Sequence, residues 1–261
     1  YPKSNYSVFL KKYFNILGNL TKGNKALDFQ AKMLNGQSTS LSNFKGIIEA
    51  FKDDYKVVVP ILPIYEMPLF QVSVTGLVEY VAEFVKYKNF NAVNVLGNSL
   101  GGHIGLLYTL AHQDKVSSLI LTGSSGLFES GMGNTFPKRG DYEFIKKKAE
   151  DTFYDPAIAT KELIDELYNV VNDRNKAIRI VATAKSAIRH NLGDKLHLIK
   201  IPVLLIWGKE DSVTPPFVGE KFEELLPDAK LYLIDKCGHA PMMEKPDEFN
   251  EILKSFLEKN T

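Results

Sequence analysis

Asn91-Ala-Val-Asn-Val-Leu-Gly-Asn-Ser-Leu-Gly-Gly-His103 decides how this chain is read. Val93, Val95 and Leu96 form a short apolar run of the kind that makes a buried strand. The run stops at Gly97, passes through Ser99, and resumes as an apolar helix carrying Ile104, Leu106, Leu107 and Leu110. Gly97-Asn98-Ser99-Leu100-Gly101 fits G-x-S-x-G, in which a strand turns so sharply into a helix that the serine occupies a strained corner. Glycines are expected at 97 and 101 because a Cβ at either place would meet the neighbouring strand or helix. The corner sets the hydroxyl over a helix N-terminus, where N–H groups and the helix dipole favour negative charge.

Outward from this stretch the chain alternates strand and helix. On the N-terminal side, Asp28, Gln30 and Lys32 alternate with Leu27, Phe29, Ala31 and Met33, the pattern of a half-exposed strand over Ala26–Leu34. Asn35 to Leu41 reads as a loop; Phe44, Ile47, Ile48 and Phe51 make a helical stripe; Val57-Val-Val-Pro60 reads as a strand. A proline-punctuated loop, Ile61–Pro68, leads to a helix carrying Leu77, Tyr80, Val81, Phe84 and Val85. Beyond the central stretch, Leu119–Thr122 is another strand. The strand signal then disappears, and helical patterns run over Tyr142–Phe153, Lys161–Val171 and Lys176–His190. Alternation returns with the strand Pro202–Trp207, a helix near Pro216–Leu226, the strand Leu231–Ile234 and a helix Pro246–Leu257. This order predicts an α/β fold, a mostly parallel doubly wound sheet covered on both faces, interrupted once by helices. The expected core is 1–126 with 193–261, and the expected helical cap is 127–192.

The balance of residues excludes some functions. A net charge of +1 gives no reason to expect nucleic acid or an anionic membrane as a partner. No apolar run approaches the roughly 18 residues of a membrane span. The single Cys237 cannot form an internal disulfide, which fits a reducing, cytoplasmic location.

A serine hydroxyl is a poor nucleophile unless a histidine, itself oriented by a carboxylate, takes its proton. Two loops at strand C-terminal ends supply candidates, which is where open α/β sheets place their sites. One is Gly208-Lys-Glu-Asp211 and the other is Asp235-Lys-Cys-Gly-His239. Glu210 is a rival acid, and His103, His112, His190 and His197 compete with His239. His103, four residues past Ser99 on the same helix, points along it and away from the hydroxyl. Gly97-Asn-Ser-Leu-Gly-Gly102, Trp207-Gly-Lys-Glu-Asp211 and Cys237-Gly-His239 together resemble the α/β-hydrolases, in particular the small capped branch of esterases, haloperoxidase-like enzymes and carbon–carbon bond hydrolases.

That resemblance implies Ser99 as nucleophile, His239 as base and Asp211 as the acid that fixes the imidazole tautomer. It also implies an oxyanion hole from the backbone N–H groups of Leu100 and Gln37. Relatives usually carry His-Gly where this chain has Asn35-Gly36, and a second register would put Ala31-Lys32 in that place. Gly36, Asn98 and Met242 are expected to face the substrate. The expected activity is hydrolysis of a small ester or related carbonyl compound through an acyl-enzyme, with no metal and no cofactor. Asn98 before the serine resembles carbon–carbon hydrolases of vinylogous diketones, whereas Ala240 stands where those relatives carry an aromatic. A low-turnover small-molecule binding protein on the same fold is the third expectation. The cap is expected to set substrate choice and take no part in the chemistry.

Overall fold

The computed structural model describes residues 31–32, 38–39, 41–128 and 139–260. The chain divides into two compact units, 1–42 and 43–261. In the first, β1 (Ala31–Lys32) and β2 (Ser38–Thr39) pair antiparallel, Ala31 opposite Thr39 and Lys32 opposite Ser38. Ser38–Thr39 is therefore paired backbone, not part of the loop expected over Asn35–Leu41. Asn35, Gly36 and Gln37, and with them one half of the expected oxyanion hole, lie outside the described residues.

Among its described residues the second unit has four parallel strands in the order β3 (Val93–Asn98), β4 (Val116–Thr122), β5 (Val203–Gly208) and β6 (Ala229–Ile234). Leu96 lies opposite Ile120, Ile120 opposite Leu204, and Leu204 opposite Lys230. Alternation along these strands splits the core in two. Ile120, Leu204 and Ile206 face one side, where they meet Ile47 and Phe51 of helix α1 (Lys45–Phe51) and Phe249, Leu253 and Leu257 of the C-terminal helix. Leu119, Leu121, Val203, Leu205 and Trp207 face the other, against Leu106, Val218 and Phe222 of the helices that follow β3 and β5. All five of these strand residues are almost wholly buried, and full burial of such a side chain stabilises by about 1.5–3 kcal/mol. A sheet buried on both faces explains why β4 and β5 read as continuous apolar runs.

In chain order the remaining helices are α2 (Val74–Tyr87), α3 (Leu100–Ala111), α4 (Tyr142–Glu150), α5 (Lys161–Asn172), α6 (Arg174–Arg189), α7 (Pro216–Leu225), α8 (Pro241–Glu244) and α9 (Pro246–Lys259). Helices α4, α5 and α6 sit between β4 and β5, strands that are neighbours in the sheet, so the chain leaves and re-enters the sheet at one place. Asp173 begins α6 by accepting hydrogen bonds from the N–H groups of Asn175 and Lys176 at 2.8 and 3.1 Å.

The strand expected at Val57–Pro60 is not found among the described residues, where the run has no regular structure and pairs with no strand. Pro60 and Pro63 have no N–H to give a ladder, and Val58 is exposed while Val57 packs on the core. No helix among the described residues is long and apolar enough to cross a membrane.

Candidate active site

Ser99 occupies the junction of β3 and α3 at φ 52° and ψ −118°, a positive φ on a residue with a side chain. Such a conformation costs of order 1–3 kcal/mol and persists only where its surroundings hold it. Here they do. Ser99 N–H donates to Thr122 O at 3.0 Å, and Ser99 O accepts from Gly102 N–H, His103 N–H and Ser125 N–H at 3.0, 3.2 and 3.2 Å. A Cβ on Gly97 would lie 2.3 Å from Gly101 O, so the turn closes only over glycine there. The collision expected at Gly101 is absent, since nothing among the described residues lies within 4 Å of a Cβ at that position. It falls one residue later: a Cβ on Gly102 would lie 2.3 Å from Ser124 Oγ. The helix packs on the strand end through its third residue, not its second.

Leu100 opens α3, so its N–H belongs to the first turn, where no helical carbonyl can accept it. That is the position from which an oxyanion donor must act. The side chain of Leu100 packs at the edge of a cluster formed by Met67, Val72, Leu77 and Ile104.

The loop after β5 carries the acid. Trp207, fully buried, donates its indole N–H to Thr214 O at 2.8 Å and so pins the far end of that loop. Within it, Asp211 is buried with all its oxygens engaged. Oδ1 accepts from Val213 N–H and Thr214 N–H at 2.8 and 2.9 Å; Oδ2 accepts from Thr214 Oγ1 at 2.9 Å and lies 2.9 Å from His239 Nδ1. A carboxylate held this way places the proton on Nδ1 and leaves Nε2 with the lone pair that a general base needs. Glu210 does not reach the histidine ring. It accepts from Cys237 N–H at 2.9 Å, bracing the loop after β6.

His239 is buried, and its backbone is gripped from three sides. Its N–H donates to Thr152 O at 3.0 Å, and its carbonyl accepts from Asn98 Nδ2 at 3.0 Å. The preceding N–H, of Gly238, donates to Glu244 Oε1 at 2.8 Å. Asn98 Nδ2 also donates to Thr122 O at 3.1 Å, which ties the serine corner to the histidine loop. A Cβ on Gly123 would lie 2.8 Å from His239 Nδ1. The ends of all four strands thus bring Ser99, Asp211 and His239 to one edge of the sheet. The amide nitrogen of Asn98 is turned to backbone carbonyls, and Met242 is buried in the core with Ile47 and Phe249.

The other histidines stand apart. Buried His103 meets His190 O through Nε2 at 2.9 Å, while its Nδ1 has no partner among the described residues. Burial holds His103 below its ordinary value, the hydrogen bond to His190 O pulling weakly the other way. His190 in turn sets Nδ1 2.7 Å from Ser186 O; His112 stacks against Tyr108 with ring centroids 5.0 Å apart; His197 is exposed. Burial also pushes the Cys237 thiol far up, leaving it an inert small core residue. Among the described residues no group of three or more His, Cys, Asp or Glu side chains gathers where a metal could be held.

Three residues of the site, Thr214, Thr152 and Glu244, are not singled out as site residues by the sequence. Thr214 supplies a hydroxyl and an N–H to Asp211, Thr152 accepts from the histidine N–H, and Glu244 links Gly238 to Tyr154 N–H at 2.7 Å. Burial pushes the Glu244 carboxyl above its ordinary value, and the bonds from Tyr154 and Gly238 pull it back in part. Only Thr214, three residues past Asp211, stood close enough in sequence to have been guessed.

Comparison with known proteins gives a consistent result. The family model described as serine aminopeptidase, S33, matches residues 64–246. A 2-hydroxy-6-oxo-6-(2'-aminophenyl)hexa-2,4-dienoic acid hydrolase of Metapseudomonas resinovorans is 30% identical over 196 residues, covering 70% of this chain and 66% of that protein. Several further relatives are matched over only 62% of their length. Among solved structures, an α/β hydrolase enzyme, MGS-MChE2, from a lagoon-sediment metagenome of Mar Chica, Morocco, is 45% identical with a TM-score of 0.70, covering 85% of this chain and 86% of that one. A meta-cleavage product hydrolase from Pseudomonas fluorescens IP01, 19% identical, shares the fold with a TM-score of 0.73 over 84% of this chain and 86% of that one.

Proposed function

The chain belongs to the serine aminopeptidase, S33, family of α/β-hydrolases, and we propose that it is a hydrolase that cleaves a small ester or related carbonyl substrate through an acyl-enzyme on Ser99. The observation that carries this reading is the Asp211–His239 hydrogen bond, set at the same strand ends as a serine held at positive φ. In the first step Ser99 Oγ bonds to the carbonyl carbon while its proton passes to His239 Nε2. The carbonyl electron pair moves onto oxygen, where the Leu100 N–H stabilises it together with an N–H we assign to Gln37. Collapse of that intermediate breaks the bond to the leaving group, which takes the proton from His239. Water then repeats the sequence and frees the acid. Asp211, accepting from Thr214 on the far side, holds the imidazole in one tautomer throughout. Residues 127–192 serve as a cap in this reading; Ala182 of α6 packs on the same cluster as Leu100, which supports a place for α6 beside the pocket.

A second reading is favoured by the 30% identical relative, a 2-hydroxy-6-oxo-6-(2'-aminophenyl)hexa-2,4-dienoic acid hydrolase, and by Asn98 before the serine: carbon–carbon cleavage of a vinylogous diketone. One experiment separates them. Wild type and Ser99→Ala are treated with a fluorophosphonate probe, then assayed on a p-nitrophenyl ester and on a 2-hydroxy-6-oxo-hexadienoate. Fast labelling lost in Ser99→Ala, with preference for the ester, supports the first reading; preference for the dienoate supports the second. An unlabelled wild type inert on both sinks the enzyme mechanism and leaves a binding protein.

A further inference from the structure

Among the described residues, the inserted segment hydrogen-bonds to the loops that carry Asp211 and His239. Directly after α4 the chain passes through Asp151-Thr152-Phe153-Tyr154, and this short strut lies against both functional loops. Ser212 Oγ donates to Asp151 O at 2.9 Å from the acid loop, and His239 N–H donates to Thr152 O at 3.0 Å from the histidine loop. The approach is so close that a Cβ on Gly238 would lie 2.7 Å from Thr152 O and 2.8 Å from Tyr154 N. Two backbones that near each other leave no room for side chains, so something at the rim must lock them together. The group that does so is Glu244, the last residue of α8, with Gly238 N–H on Oε1 at 2.8 Å and Tyr154 N–H on Oε2 at 2.7 Å.

We infer that Glu244 is a positioning residue for His239, acting through the Gly238 N–H and the Thr152–Tyr154 strut. The reason it must be a carboxylate lies in the pattern of donors. Both of its oxygens face an N–H, so both must accept. Gln offers one acceptor and turns its NH2 toward the other donor; Ala offers none. Without the clamp the Gly238 N–H loses its acceptor, the histidine backbone keeps only the Thr152 bond to the strut, and the ring is held less closely in position. A 1 Å displacement of a catalytic group costs about 10²-fold in rate without altering how substrate binds. The inference rests on the reading of His239 as the base, but its structural half is separately measurable, because a proton held between Nδ1 and a carboxylate gives a downfield proton resonance.

The test uses the full chain as wild type, Glu244→Gln and Glu244→Ala. It measures kcat and KM on a p-nitrophenyl ester, the fluorophosphonate labelling rate, the melting temperature and the downfield histidine proton. Glu244→Ala is expected to lose about 10²-fold in kcat and labelling rate, with KM little changed and the proton signal broadened or shifted. Glu244→Gln, which keeps one of two acceptors and the side-chain shape, is expected to fall by about tenfold. A folded Glu244→Ala whose kcat stays within about twofold of wild type overturns the inference, and so does a loss confined to KM. Should Glu244→Ala not fold, Glu244→Gln decides alone, and an unchanged labelling rate in it overturns the inference. A wild type inert toward probe and ester, whose proton signal is still lost in the variants, removes the hydrolase mechanism but leaves the clamp standing.

Discussion

Replacing Asp211 by Asn tests the centre of the site with one atom changed. Four groups converge on the two carboxylate oxygens. Val213 N–H and Thr214 N–H share Oδ1, and Thr214 Oγ1 and His239 Nδ1 share Oδ2. Asn can keep its oxygen at Oδ1 and preserve both backbone bonds. Its NH2 then stands at Oδ2, where Thr214 can rotate its hydroxyl to accept but Nδ1–H can only repel. The imidazole answers by moving its proton to Nε2, the nitrogen that must take the proton from Ser99. Turnover is expected to fall about 10⁴-fold, or about 5.4 kcal/mol of transition-state stabilisation. Folding stability should drop by only about 1–3 kcal/mol, the range for bonds to a charged acceptor. The assay pairs p-nitrophenyl ester turnover and fluorophosphonate labelling with denaturant unfolding of the same sample. A stable Asp211→Asn variant that keeps turnover within about tenfold of wild type refutes the tautomer argument. So does Glu210→Gln, if that change and not Asp211→Asn abolishes activity.

The remaining expectations follow from contacts at the edges of the site. Gly102→Ala should cost about 1–3 kcal/mol in denaturant unfolding, because Ser124 blocks the new methyl, whereas Gly101→Ala should be neutral or gain up to about 1 kcal/mol; equal effects would refute the packing described for α3. His103, held below 6.5 by burial, leaves the unfolded chain to bind the proton first, so its contribution is complete above that value and is lost as pH falls from there through the folded-state pKa. The stability advantage of wild type over His103→Gln should therefore shrink on acidification; a constant gap between about pH 7.5 and 5 counts against it. Exchange of 127–192 for a relative's segment should lower Ser99 labelling by about 10²-fold unless Asp151–Tyr154 is kept, contrary to a cap that is a bystander to the chemistry. Unaltered labelling in a folded chimera lacking the strut would restore that simpler view.

Much of this molecule can be read along the chain because its signals are local. The turn from strand to helix at Ser99 needs residues that are neighbours in sequence, and the apolar runs of β4 and β5 announce a sheet buried on both faces. Helices α4, α5 and α6 begin within two residues of their apolar patterns, where Asp141, Thr160 and Asp173 cap their N-termini. Asp211 and His239 can be named because each lies in the loop directly after a strand. The failures are equally physical. Val57–Val59 has strand composition, but a strand exists only where another offers its N–H and C=O groups, and none among the described residues does so. The glycine that α3 needs is set by Ser124, a residue 22 positions away from Gly102, so no pattern within the corner reveals it. Asp211 is named over Glu210 from the sequence, and what only the structure adds is the means: the loop after β5 folds over Trp207, turning Asp211 inward and Glu210 toward Cys237. The clamp at Glu244 lies further still from any local signal. It joins Gly238 to Tyr154, 90 residues from Glu244 in the chain, and only the packing of the inserted segment against the histidine loop brings the Tyr154 N–H to that carboxylate.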